Sequence, residues 1–153
     1  MPRAGFYAVE NSEIRFARDG RWYADGQLVV NPRIAALFSR HVCRRPDGGY
    51  MLRIADEQAP IVVEDTPYVV TSVAFDADEM PWLEINDGSR ERLDPTTLTV
   101  GDDDVLYCRV KHRAEPARFL RPAYYALAGH CSLSQSGAFV LRLPSGDYPI
   151  AGR

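Results

Sequence analysis

Two stretches of the chain decide its architecture: Asn31–Ile61, NPRIAALFSRHVCRRPDGGYMLRIADEQAPI, and Leu120–Ile150, LRPAYYALAGHCSLSQSGAFVLRLPSGDYPI. They align at a spacing of about ninety residues, with a one-residue slip near the histidines. Pro32 faces Pro122, Ala36 faces Ala126 and Leu37 faces Leu127. Past the slip His41 faces His130, Gly48 faces Gly137, Arg53 faces Arg142, and Pro60-Ile61 face Pro149-Ile150. Tyr50 against Phe139 and Ile54 against Leu143 keep apolar character where a core would lie.

Each copy predicts a helix followed by a hairpin. In the first, Asn31 can cap the free amides and Pro32 suits the first helical position. Ile34, Leu37, Phe38 and Val42 recur at helical spacing, and Pro46-Asp47-Gly48-Gly49 turns the chain. The strand Tyr50 to Ala55 then alternates, with Arg53 on the side away from Tyr50, Leu52 and Ile54. In the second copy the helix starts near Pro122 and buries Tyr124, Leu127, Ala128 and Cys131. There Arg121 stands in place of the asparagine cap, and Ala138 to Leu143 pairs with Tyr148 to Ile150.

Working outward, Gly5 to Val9, Glu13 to Ala17 and Arg21 to Tyr23 read as strands, with Asp-Gly turn signals between the later ones. Tyr68 to Phe75 is apolar on both faces and reads as a central strand. Trp82 to Ile85, Val105 to Val110 and Ala117 to Leu120 are further strands. The Leu93 to Val100 stretch is irregular, with Pro95 blocking a helix.

A lone helix over a few strands cannot cover itself in about 60 residues. The expected fold is therefore α+β, with two similar half-domains packed about a pseudo-two-fold. Each has a bent antiparallel sheet, one helix and a terminal hairpin. The division falls at residues 1–76 and 77–153.

The composition, 46% hydrophobic and 25% charged over 153 residues, is that of a globular protein. A net charge of −3 argues against a protein that coats nucleic acid. No apolar run has the roughly 20 residues of a membrane span, and no signal-peptide core opens the chain, so a cytoplasmic location is expected. Three cysteines fit reduced thiols better than a disulfide framework.

The linked segments IRFARDGRWYADG, IVVEDTPYVV, WLEIND and FLRPAYYALAGH resemble the bacterial family called domain of unknown function 1285. The resemblance runs from about Glu13 to Ile150. It implies two similar half-domains, the second superficially like a pleckstrin-homology fold. It also implies a ligand site between them for a nucleotide-like molecule, and a role in signal transduction; no activity is established for the family.

Motifs for chemistry are sparse. His41, Cys43, Cys108, His112, His130 and Cys131 lack zinc-ligand spacing, so no metal is expected, and no cofactor. The paired histidines near the helix ends are suited to capping carbonyls. Ser132, Ser134 and Ser136 are not in a nucleophile elbow, no phosphate-cradling glycine loop is present, and Asp102-Asp103-Asp104 reads as a solvated turn.

The reading favours a non-enzymatic binding or regulatory protein for an anionic or nucleotide-like small molecule. The expected ligand-binding residues are Arg53 and Arg142, at equivalent strand positions, with Arg109, the aromatics Tyr68 and Tyr124, and the Glu64-Asp65 turn. Arg18 and Arg109 form a weaker pair of the same kind. The alternative is a protein–protein interaction module that binds through a sheet edge or an exposed aromatic patch.

Overall fold

The computed structural model describes residues 12–153; the expected strand Gly5 to Val9 lies outside them. The protein is α+β and divides into two compact units. The first comprises the chain up to Pro67 together with Asn86–Gly88, and the second comprises Tyr68–Ile85 and Ser89–Arg153.

The first unit opens with strands β1 (Ile14–Phe16), β2 (Trp22–Ala24) and β3 (Gln27–Leu28). Asp25 and Gly26 both have positive φ, 50° and 80°, the geometry of a two-residue hairpin turn matched to strand twist. Helix α1 (Pro32–Arg40) follows, with Asn31 Oδ1 accepting from the Arg33 N–H as expected. Its end is earlier than the apolar spacing suggests. His41 closes it, its Nδ1 2.8 Å from Leu37 O, and Val42 already belongs to strand β4 (Val42–Arg44). Strands β5 (Tyr50–Ile54) and β6 (Glu57–Val63) complete a six-stranded sheet in the order β3-β2-β1-β6-β5-β4. Its core is aromatic: Phe16, Trp22 and Phe38 are buried, with Trp22 4.7 Å from the Phe16 ring and 5.4 Å from the Phe38 ring. The indole N–H donates to Ser39 Oγ at 2.9 Å, so the one polar group in this cluster is satisfied.

The second unit begins with β7 (Tyr68–Phe75), β8 (Pro81–Ile85) and β9 (Arg90–Arg92). It continues with β10 (Thr99–Val100), β11 (Leu106–Val110), β12 (Glu115–Phe119), α2 (Arg121–Ala128), β13 (Cys131–Leu133), β14 (Phe139–Leu143), β15 (Gly146–Pro149) and β16 (Ala151–Gly152). One sheet runs β16-β10-β11-β12-β7-β8-β9 and a smaller one runs β13-β14-β15. β7 is an interior strand, as its two apolar faces require. It pairs with β8 and β12, so the division between units falls at Pro67 rather than after residue 76.

The same strand order recurs in both units, β3-β2-β1-β6-β5-β4 against β12-β11-β10-β16 and β15-β14-β13. The matches extend to individual hydrogen bonds. His41 N–H to Phe38 O, Arg53 N–H to His41 O and Gly48 N–H to Arg45 O are matched by His130 to Leu127, Arg142 to His130 and Gly137 to Ser134. Gly48 and Gly137 both take a positive φ, 90° and 84°. Glu64 N–H to Phe16 O is matched by Arg153 N–H to Val100 O, closing a parallel pairing in each unit. β7, β8 and β9 have no counterpart among the described residues of the first unit.

Two expectations are corrected. The sheets are mixed rather than antiparallel, because β1/β6, β12/β7 and β10/β16 pair in parallel. The slip between the two copies is absent. Ile34 and Phe38 are buried in α1 where Ala123 and Leu127 are buried in α2, so Asn31 matches Leu120 and the spacing stays constant through His41 and His130. Matching prolines misled the alignment; the buried face sets the register.

Candidate functional site

Strand β9 alternates, so Arg90 and Arg92 point to one side and Glu91 to the other. Both guanidiniums lie over the Trp82 ring of the neighbouring strand, 5.0 and 5.6 Å from its centre. Such stacking holds each fork flat while leaving donor edges available. The Trp82 indole is itself fixed, donating to Asp76 Oδ2 at 2.9 Å. Asp76 also accepts from the Met80 amide, and that bond, followed by the indole's, holds its carboxyl below the usual range.

The β11–β12 hairpin brings more arginine. Its loop, Lys111-His112-Arg113, holds three successive L-residues at positive φ, 56°, 56° and 67°. Such backbone costs on the order of 1 kcal/mol or more per residue and persists where surrounding structure compels it. Arg109 compels it from below, donating from Nε to Arg113 O and from a terminal nitrogen to Ala114 O, both at 3.1 Å. Glu91 receives the Lys111 N–H at 3.1 Å, and Asp94 holds Arg113 through two nitrogens at 2.5 Å.

These pieces surround an open basin of about 620 Å³ lined by Arg90, Arg92, Arg109, Arg113, Glu91 and Asp94, with His112 at its edge. The lining carries four guanidiniums and two carboxylates, and Glu84, outside it, pairs with Arg90 Nε at 3.5 Å. The lining itself thus holds more guanidiniums than carboxylates, and the basin falls within the usual volume range of small-molecule sites. Of its residues only Arg109 was expected from the sequence to bind a ligand. Arg90 and Arg92 carried a signal, the alternation R-E-R after an Asn-Asp-Gly turn, which places two like charges on one strand face. Arg18 is not the counterpart of Arg109: it follows β1, and the recurring strand order matches β1 with β10.

The other expected site residues are dispersed. Arg53 and Arg142 do occupy matching positions, but their surroundings differ. Arg53 is exposed opposite Gln58, while Arg142 is opposite Asp147 and bonds it at 2.6 Å, with Ser132 Oγ at 2.7 Å. Glu64 accepts from the Arg18 amide at 3.0 Å and pairs with Arg15 at 3.7 Å. It lines a separate pocket of the first unit of about 390 Å³, with Arg15, Arg18 and Tyr23. Asp65 is half-buried beside it in sequence and also engaged. Tyr68 is buried, with Lys111 Nζ 5.0 Å from its ring centre. Tyr124 is half-buried and lines an apolar pocket of the second unit.

Burial raises the Cys131 thiol in that apolar pocket, and drives Cys108 in the core far up, so both stand as neutral thiols. Among the described residues no group of three or more His, Cys, Asp or Glu is placed to hold a metal ion. Nor is any helix among them long and apolar enough to cross a membrane.

The fold matches solved structures. A DUF1285 family protein from Silicibacter pomeroyi DSS-3 superposes with a TM-score of 0.71 at 21% identity, covering 90% of this chain and 79% of that one. A DUF1285 family protein from Shewanella baltica OS155 superposes with a TM-score of 0.61 at 19% identity, covering 78% of this chain and 92% of that one. The resemblance carried by the sequence motifs thus holds at the level of the fold. No protein-family model matches the sequence, and no curated protein matches it.

Proposed function

We propose that this protein is a non-enzymatic, cytoplasmic binding protein for a small anionic molecule, acting in regulation or signalling. The observation that carries the reading is the arginine basin of the second unit. Arg90, Arg92, Arg109 and Arg113 bring four guanidiniums to one open space whose lining holds two carboxylates, Glu91 and Asp94, and the strained Lys111-His112-Arg113 loop forms part of its wall. Planar forks stacked on an aromatic ring suit phosphoryl or carboxylate oxygens. The rigid support of Trp82 by Asp76 favours a preformed site rather than three solvated side chains.

A thermal-shift screen against inorganic phosphate, pyrophosphate and nucleoside phosphates tests this. A bound anion raises the melting temperature with concentration, since ligand that binds only the folded state stabilises it. Arg92→Ala is expected to abolish the rise. A rise that is identical in Arg92→Ala, or no rise with any of these anions at low salt, would overturn the reading.

A further inference from the structure

The recurring strand order allows the two cores to be compared position by position. Phe16 on β1 corresponds to Val100 on β10, and Trp22 on β2 to Leu106 on β11, because each is cross-strand partner to the other in its own ladder. On the helices Phe38 corresponds to Leu127 and Ser39 to Ala128. The first unit thus fills the space between helix and sheet with three aromatic rings, tilted and edge-on to one another, and a hydroxyl that holds the indole. In the second unit smaller aliphatic side chains hold every one of those positions.

The difference in volume is not taken up by collapse. A pocket of about 240 Å³ remains beside α2, with Val100, Leu106, Ala128 and Ile150 as its apolar lining. Val100, Tyr124, Cys131 and Ile150 around it are only partly buried although they pack on the core. Leu133 and Phe139, cross-strand partners, form an exposed apolar lip at 62% and 47% exposure. The polar residues of the lining are Asp104, Ser132 and Tyr124, and the Ser132 hydroxyl is taken by Arg142 Nε at 2.7 Å.

We infer that this pocket binds a planar aromatic molecule of bicyclic size carrying an N–H donor, an indole-like ring or an aromatic amine. The template is the protein's own Trp22, which holds in the first unit the position of the lining residue Leu106 and spends its N–H on a hydroxyl. An apolar cavity of about 150 Å³ holds a benzene, so the larger space here admits a fused ring. The lining determines the sign of the ligand. A carboxylate only accepts hydrogen bonds, so Asp104 selects a neutral or cationic donor and disfavours an anion. With Ala128 in place of Ser39 the helix offers no hydroxyl there, which directs the ring's N–H to Asp104. This site is separate from the arginine basin and takes the opposite kind of ligand.

Indole itself is the probe. Titrated into protein with labelled methyl groups, it is expected to shift the Val100, Leu106 and Leu133 methyl resonances saturably. Ala128→Leu fills the pocket and should weaken binding at least tenfold while keeping a dispersed methyl spectrum. Should that variant not fold, Leu133→Ala at the exposed lip is expected to weaken binding several-fold. 1-Methylindole, which lacks the N–H, should bind several-fold more weakly than indole. The inference is overturned if indole leaves these methyls unmoved, if a folded Ala128→Leu binds it equally, or if 1-methylindole binds as well as indole. Shifts of the same methyls on raising protein concentration alone would assign the pocket to a second copy of the chain and overturn it likewise.

Discussion

Trp22 and Leu106 hold the same place in two recurring ladders, Trp22 opposite Phe16 and Leu106 opposite Val100. Two units with one strand order thus have cores of different kinds, one closed by tilted and edge-on aromatic rings and one left partly open.

The closed core depends on one hydroxyl. Ser39 Oγ receives the Trp22 indole N–H and the Asn86 side-chain amide, each at 2.9 Å, and Ser39 is buried. Ser39→Ala removes the acceptor and leaves a buried indole donor without its partner. The expected loss is about 1–3 kcal/mol, read from urea unfolding followed by tryptophan fluorescence. Unchanged stability would mean that the indole finds another acceptor.

Glu57 shows the opposite situation. It is buried at 3% exposure, and neither carboxylate oxygen has a hydrogen-bond partner among the described residues. A buried polar group left unpaired costs roughly 1–3 kcal/mol. Glu57→Met, similar in length and apolar, should therefore raise the urea midpoint. A lowered midpoint would show that the carboxylate holds an ion or water that the fold needs.

Asp94 joins the Pro95–Thr97 turn to the Arg113 loop. The Thr96 hydroxyl foremost, then the Thr96 amide and Arg113, hold its carboxyl below the ordinary value of 3.8. The folded state favours the ionised form, so this contribution is complete above that ordinary value and is lost as pH falls through the lower, folded one. Stability should steepen downward below about pH 4, and Asp94→Asn should flatten that part of the profile. A profile with the same slope in the variant would place the acid sensitivity elsewhere.

Much of the fold was legible because local chemistry announces it. Asn31-Pro32 marks a helix start, Asp25-Gly26 a tight hairpin, and the doubly apolar run from Tyr68 a central strand. The helix ends were not legible. Val42 and Cys131 continue the helical period, and only the pairing of each with the following hairpin makes it strand. Parallel pairing between β1 and β6 joins segments far apart in sequence and leaves no local mark. The arginine basin was hidden for the same reason. Arg92 and Arg109 come from separate hairpins, and the hairpins' common basin belongs to the sheet rather than to any motif. Arg53 and Arg142 each donate their backbone N–H to a histidine carbonyl, yet Gln58 opposite one and Asp147 opposite the other make them chemically unlike.

Isothermal titration of pyrophosphate into the protein and into Arg92→Ala, at low salt, tests the proposed function most directly. Arg92 is exposed and stacks on Trp82, so its removal should cost the fold about 0.5 kcal/mol or less. A charge-assisted bond to the anion contributes on the order of 1.5–3 kcal/mol, so affinity should fall roughly tenfold to a hundredfold. Equal affinity in the two proteins, or no binding by the unaltered one, would contradict an anion site in the arginine basin.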